Sequence, residues 1–189
     1  GTDNLTINSG TARTEVDGVV SDIETLTIQD SGGVTFDAAV TAATEVILTE
    51  TADGDDIVFA GALNTATLTT AAEGYDLAIN GGGTITNATF INTGTLNIGA
   101  DGVTTTFNND ISATSQTASA VGITLAGTLA TSDDVVTLGD AGTGITLGAD
   151  TTISTGSGAI NIGGALAGGT NALIINTTGT TNITAAISG

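Results

Sequence analysis

The segment LAINGGGTITNATFINTGTLNI, residues 77–98, contains the pattern on which the fold of this chain depends. It begins with the triplet Leu77-Ala78-Ile79 and ends with the triplet Leu96-Asn97-Ile98, so that in each case one small or polar residue separates two large apolar ones. Since successive side chains of a strand point to opposite faces, each triplet places two apolar side chains on one face. The Gly, Asn and Thr residues between the triplets favour turns. The segment therefore predicts two short strands that contribute to one core.

Apolar triplets of this kind recur along the chain in two series with a common period. One series begins its triplets at Leu26, Val46 and Ala66, and the other at Ile57, Leu77 and Leu96, with spacings of 19 or 20 residues. Such a period is typical of a coiled β-solenoid, in which each coil returns to the same faces one strand spacing higher. We therefore predict an all-β fold, a parallel β-solenoid (β-helix) without helices. Residues 1–189 would form one solenoid domain of some nine coils, at about 20 residues per coil.

A β-sandwich or jelly roll is the alternative fold, because it also has short strands and Gly-rich turns. Two observations favour the solenoid. The 20-residue period has no counterpart in a sandwich. The chain also has only four Phe, one Tyr and no Trp or Pro, whereas small and β-branched residues are enough to fill a narrow solenoid interior.

The composition excludes several classes of function. The chain carries 20 acidic residues against a single basic one, Arg13, for a net charge of −19. Nucleic-acid binding requires a basic surface, and no apolar run is long enough to insert into a membrane. Without Cys or His, the chain cannot build a Cys–His or Ser–His–Asp catalytic site. We therefore expect a protein that is not an enzyme, does not bind nucleic acid and does not enter a membrane.

The acidic segment ADGDDIVFAG, residues 52–61, is the best candidate for a binding site. Asp53, Asp55 and Asp56 surround Gly54 and supply the hard oxygen ligands that Ca²⁺ prefers. Weaker calcium sites are conceivable at Asp101 and at the pair 133–134. The competing interpretation is a solvated turn before a strand, in which aspartates stabilise a bend. Calcium is therefore a possible cofactor of this chain.

Pairs of threonines separated by one residue indicate a second kind of site. They occur at Thr25/Thr27, Thr49/Thr51, Thr67/Thr69 and Thr93/Thr95. A flat face of regularly spaced Thr and Asn side chains could recognise a glycan or ice. Thr is also an ordinary outward-facing strand residue, which explains the pairs without any ligand.

The segment VTLGDAGTGITLGADTTISTGSGAINIGGALAGGTNALIINTTGTTNITAAISG, residues 136–189, resembles the β-strand repeats of large bacterial surface proteins. These proteins are of the filamentous-haemagglutinin-like and autotransporter-passenger kind, and DDIVFAG (55–61) is similar to their repeated phrases. The resemblance covers essentially the whole chain and is clearest over residues 120–189. It implies a right-handed parallel β-helix that is secreted or displayed on a cell surface, and it brings no catalytic residues.

These observations together predict a structural protein. It would be a subunit or segment of an extracellular bacterial filament, surface layer or adhesin stalk. Neither end of the sequence has the polar cap that prevents solenoids from stacking, so we expect self-association end to end through open coils. The alternative is an adhesin-type binding module that recognises glycan or ice on a flat Thr/Asn-rich face.

Overall fold

The computed structural model describes residues 3–49, 52–116 and 122–189. Within these ranges the chain forms twenty β-strands and no helix. In chain order the strands are β1 (Asp3–Asn8), β2 (Thr14–Val16), β3 (Val20–Asp30), β4 (Val34–Phe36), β5 (Val40–Leu48), β6 (Asp56–Phe59), β7 (Leu63–Thr70), β8 (Asp76–Ile79), β9 (Gly83–Thr89), β10 (Leu96–Ile98), β11 (Thr104–Phe107), β12 (Ile111–Ala113), β13 (Ile123–Thr131), β14 (Val136–Leu138), β15 (Ile145–Gly156), β16 (Ile160–Ile162), β17 (Leu166–Ala167), β18 (Leu173–Thr177), β19 (Thr181–Ile183) and β20 (Ile187–Ser188).

The strands stack in three columns, each made of parallel pairs. Column A contains β1, the second halves of β3, β5, β7 and β9, and then β12, β14, β16 and β19. Column B contains β2, β4, β6, β8, β10, the first parts of β13 and β15, β17 and β20. Column C contains the first halves of β3, β5, β7 and β9, then β11, the second parts of β13 and β15, and β18. The chain passes through A, B and C in turn, which makes a parallel β-solenoid of about 8 turns.

The core is the narrow space that the three columns enclose. Alternation places the outer residues of each triplet inside, so that Leu77 and Ile79 are buried while Ala78 between them is only partly buried. Like side chains stack from coil to coil. Phe36 and Phe59, which are paired in column B, have parallel rings whose centroids lie 5.1 Å apart. The solenoid prediction is confirmed, and the sandwich alternative is wrong because every strand pair among the described residues is parallel.

Two details of the predicted repeat need correction. The coil spacing is about 22 residues rather than 20, with about 8 turns instead of nine. The first triplet series also changes register: Val46 pairs with Leu68, not with Ala66. The cause is a longer corner between columns A and B, where Leu48 and Ile57 are nine residues apart, against six for Ile28 and Val34 in the coil before. The irregularity in the β5–β7 ladder between Ala42 and Glu45 then takes one residue off this offset. The second series is confirmed, since Ile57 pairs with Leu77 and Leu77 with Leu96.

The position of the sharp corners changes in the middle of the solenoid. In β3, β5, β7 and β9 one continuous strand runs through the corner from column C to column A, whereas in β13 and β15 it runs from column B to column C. The change coincides with the longest coil, in which Leu96 pairs with Ile123. At the same level column A is held by a single bridge, Phe90 to Ala113. The loosening of the sequence period after residue 100 thus marks a change of coil shape within one continuous stack.

Candidate functional site

The predicted calcium ligands lie at the corner between columns A and B. Residues 52–55 form a tight turn in which the Asp55 N–H donates to the Ala52 carbonyl at 2.9 Å. Gly54 occupies this turn with a φ of 79°, a conformation that glycine adopts without strain. Asp56 then begins β6. The turn therefore places Asp53 and Asp56 at the solvent-exposed edge of the coil, with Asp55 partly buried between them.

The Asp53 carboxylate is engaged by the next coil. Its Oδ1 accepts a hydrogen bond from the Gly74 N–H at 3.2 Å. One coil further on, Asp76, which is in register with Asp56, accepts from the Thr95 N–H at 2.6 Å. Each carboxylate thus satisfies a backbone donor that the turn of the following coil would otherwise leave to water.

The same device recurs at other corners of the solenoid. The carboxylates of Asp110, Asp133 and Asp150 accept from backbone N–H groups one coil later, at residues 135, 157 and 172, over 2.7 to 2.8 Å. Hydrogen bonds to an ionised acceptor are short and about twice as strong as neutral ones. We call Asp53, Asp76, Asp110, Asp133 and Asp150 the corner aspartates. They explain part of the acidic composition as a means of fastening one coil to the next.

Asp140 acts within its own turn. Its carboxylate accepts from the N–H groups of Gly142 at 2.7 Å and Thr143 at 2.9 Å. These bonds, that of Gly142 above all, hold the pKa of the Asp140 carboxyl below its ordinary value.

Calcium binding at residues 53–56 stays a prediction. Among the residues that the structure describes, no group of three or more carboxylates is arranged to hold a metal ion. Asp53 accepts a hydrogen bond from Gly74 and Asp133 accepts one from Ser157, while Asp134 accepts from the Ser132 hydroxyl at 3.4 Å. Asp101 lies exposed in a separate turn. For Asp53 and Asp133 the geometry supports a hydrogen-bonding role.

Removing divalent cations tests the two roles of Asp53 against each other. We expect EDTA to leave the melting temperature unchanged, because the carboxylate bonds to a backbone N–H. Asp53→Ala should lower the free energy of unfolding by about 1 to 2 kcal/mol, since the Gly74 N–H loses a charged acceptor. Thermal melts of both proteins with EDTA and with added CaCl₂ measure this. A calcium-dependent rise in melting temperature that Asp55→Asn abolishes would instead establish a metal site.

Polar side chains line the inside of the A–B corner, a feature that the sequence did not indicate. Thr70 is buried, donates to the Thr89 carbonyl at 2.9 Å and accepts from the Ile91 N–H at 2.8 Å. The buried Asn92 donates to the Thr95 carbonyl at 3.1 Å and accepts from the Gln116 amide at 3.3 Å. This network satisfies the backbone of successive turns from within, as the corner aspartates do from outside.

The one tyrosine of the chain belongs to this buried network. The Tyr75 hydroxyl donates to the Leu48 carbonyl at 3.2 Å and accepts from the Ala71 N–H at 3.1 Å. Burial raises the pKa of the Tyr75 phenol to about 12, because the charged phenolate would lose its hydration, although the Ala71 and Thr70 donors partly favour the phenolate.

We expect stability to be lost between about pH 10 and about pH 12. The folded-state pKa of Tyr75 lies above the ordinary value of 10.0, so its contribution is complete below pH 10 and disappears as the pH rises towards 12. The loss should amount to about 2 to 3 kcal/mol. The chain has a single Tyr and contains neither Lys nor Cys. Urea denaturation at pH 9 and pH 12 measures the loss, and Tyr75→Phe should remove it. A loss of equal size in that variant would contradict the assignment.

The predicted threonine face is interrupted in the structure. On the outside of column A, Glu45 pairs with Thr25 of the coil before and with Thr67 of the coil after. Two residues further along the strand, Ile47 lies in the same way between Thr27 and Thr69. A carboxylate and an isoleucine therefore separate the first and third threonine pairs. Thr93 and Thr95 lie in a turn, and of the remaining pair Thr51 is outside the described residues. Asn side chains do form a short ladder in this column, where Asn182 donates to Asn161 at 2.9 Å.

The coil of residues 171–189 is the most exposed part of the core. Ile162 and Leu166 are almost fully buried, but Ile183 and Ile187, their neighbours in columns A and B, are 36% and 60% exposed. Beside them opens a groove of about 380 Å³. Its apolar lining residues are Leu147, Leu166, Leu173, Ile175, Ile183 and Ile187. We call residues 171–189 the open coil, because no other described strand pairs with the outer edges of β18, β19 and β20. Its apolar surface is the candidate functional site.

None of the described residues forms a helix that could cross a membrane. Comparison with protein-family models, with curated proteins and with solved structures gave no match for this chain. The chain is a parallel β-solenoid with repeated coils. The open coil and the corner aspartates are the features of this solenoid that bear on its function.

Proposed function

We propose that this chain is a structural protein, a subunit or segment of an extracellular bacterial filament, surface layer or adhesin stalk. The observation that carries the proposal is the open coil of residues 171–189. There β18, β19 and β20 each pair on one side only among the described residues, with β15, β16 and β17. In the part of the chain that the structure describes, no strand pairs with their other edges, which lie beside an apolar groove. Such an edge binds a further strand unless it is capped or charged.

Four observations support a structural role outside the cell. Each coil is joined to its neighbours by parallel ladders in three columns. The corner aspartates add charge-assisted bonds between coils, which strengthen the stack along its axis. The resemblance of residues 136–189 to bacterial surface repeats favours an extracellular location, and a surface with a net charge of −19 favours solubility outside the contact region.

Charging the open coil tests this function directly. Ile187→Lys places an ammonium group in the apolar groove, so we expect sedimentation to change from concentration-dependent oligomers to a single monomeric species. Ile174→Lys is the matched control, because Ile174 is 57% exposed and lies on the outward face of β18. This variant should assemble like the wild type. Assembly of Ile187→Lys to the same extent, or a wild type that stays monomeric at about 100 µM, would refute the proposal.

A further inference from the structure

Two turns of the solenoid share one sequence but differ in how they are held. Ala-Asp-Gly occurs at residues 52–54, in the A–B corner, and again at residues 100–102, in the corner between columns B and C. A backbone hydrogen bond closes each turn, at 2.9 Å in the first and 3.0 Å in the second. The two glycines have φ of 79° and 71°, the pattern of a type II turn. Asp53 and Asp101 are both exposed, so accessibility does not distinguish them.

The following coil locks the turn of residues 52–54. The Gly54 N–H donates to the Gly74 carbonyl at 3.1 Å, and the Gly74 N–H donates to the Asp53 carboxylate at 3.2 Å. These two bonds fix both the carboxyl group of Asp53 and the peptide unit that follows it. Rotation of that peptide unit towards the side chain requires the bond to Gly74 to break first.

The turn of residues 100–102 is open to solvent at the same place. Within the described ranges, no group accepts a hydrogen bond from the Gly102 N–H, and none donates to the Asp101 carboxylate. A Cβ at Gly102 would meet no atom within 4 Å, so there is room beside this peptide bond. Described coils lie on both sides of the turn, at Gly82 and Gly127. Since type I and type II turns differ in the rotation of their central peptide unit and share the closing bond, this unit can rotate while the turn stays closed.

We propose that Asp101 is a site of spontaneous isomerisation to isoaspartate, whereas Asp53 is protected in the folded chain. This inference does not depend on the proposed function. The Gly102 nitrogen attacks Cγ of the protonated Asp101 carboxyl group, so that an N–Cγ bond forms, the C–OH bond breaks and water leaves with the N–H proton. Water then adds to the main-chain carbonyl of the resulting succinimide ring and breaks the original C–N peptide bond. The chain afterwards runs through Cβ and Cγ of residue 101, and the α-carboxylate becomes the side group.

The glycine that follows is what makes this ring closure favourable, because it has no Cβ to obstruct the approach of its nitrogen. Asn80-Gly81 is the corresponding asparagine pair, which would lose ammonia instead of water. The Gly81 N–H donates to the Phe59 carbonyl at 3.1 Å, and the Asn80 Oδ1 accepts from the Asn97 amide at 2.8 Å. This pair is therefore locked as the first turn is. We expect it to deamidate only after unfolding, which the mass of the peptide that contains it measures.

Digestion with endoproteinase Asp-N tests the proposal, because this enzyme cleaves before aspartate but not before isoaspartate. Isomerisation at residue 101 turns the fragments 76–100 and 101–109 into one, 76–109, and loss of cleavage at residue 53 is measured in the same digest. The folded chain is incubated for weeks near neutral pH and sampled over time. We expect cleavage at residue 101 to be lost at least about tenfold faster than at residue 53, since two hydrogen bonds must open at the latter.

Unfolding in urea is the matched control, because it removes the bonds to Gly74. Both sites should then react at similar rates. Isomerisation in the third Asp-Gly pair, residues 17–18, changes other fragments and does not interfere. Equal rates at residues 53 and 101 in the folded chain would overturn the inference, as would no reaction at 101 while the unfolded chain reacts. A preference for residue 101 that persists in urea would also overturn it, because the sequence and not the fold would then be the cause.

Discussion

Gly83→Ala should destabilise the solenoid by about 4 kcal/mol or more, enough to unfold many small domains. Gly83 begins β9 with a φ of 113°, which residues with a side chain rarely adopt. A Cβ at this position would lie 2.2 Å from the Leu63 carbonyl oxygen of the preceding coil. That oxygen belongs to the backbone, so it cannot move aside without shifting the β7 strand. Circular dichroism and urea denaturation of the purified variant measure the effect.

Two other glycines separate the causes of this loss. Gly54 also has a positive φ, but a Cβ there would meet nothing within 4 Å, so Gly54→Ala should cost about 1 to 2 kcal/mol. Gly18 has neither constraint, and Gly18→Ala should change the stability by less than about 0.5 kcal/mol. If the three substitutions had equal effects, the close approach of the coils at Gly83 would be contradicted.

Phe59→Ala should lower the free energy of unfolding by about 3 to 5 kcal/mol. Phe59 is fully buried in column B, stacked on Phe36 of the coil before and paired with Ile79 of the coil after. Removing the ring leaves a cavity that neither neighbour can fill, because the backbones of adjacent coils are held at a fixed spacing. Denaturant titration measures the change.

Phe59→Leu is the appropriate comparison, because it retains most of the apolar volume. We expect it to cost about 1.5 kcal/mol or less. Similar losses for the two variants would show that stacking of side chains between coils is not what stabilises column B.

The sequence was sufficient to predict the fold because the solenoid depends on a local rule that is repeated. Each triplet, such as Leu77-Ala78-Ile79, determines which face is buried without reference to distant residues. The register could not be predicted throughout, because it depends on how many residues each corner contains. The shift that pairs Val46 with Leu68 arises because the corner between Leu48 and Ile57 is three residues longer than the corner between Ile28 and Val34.

The site was less predictable for a related reason. The sequence indicated a turn before a strand at residues 53–56, but the hydrogen-bond partner of the Asp53 carboxylate lies one coil away. The bond from Gly74 to Asp53 depends on the register between coils. The buried polar network was missed because Asn92 and Thr70 have the residue types of exposed turns. Thr70 and Asn92 become part of the core because the coils before and after them cover the A–B corner.

Electron microscopy of the purified chain over a range of concentrations is the most direct test of end-to-end assembly. We predict unbranched filaments of uniform width that lengthen with concentration. Diffraction from aligned samples should show an axial repeat of about 4.8 Å, since the coils of the solenoid stack at the normal strand spacing. Discrete rods of one protomer at every concentration would contradict the account.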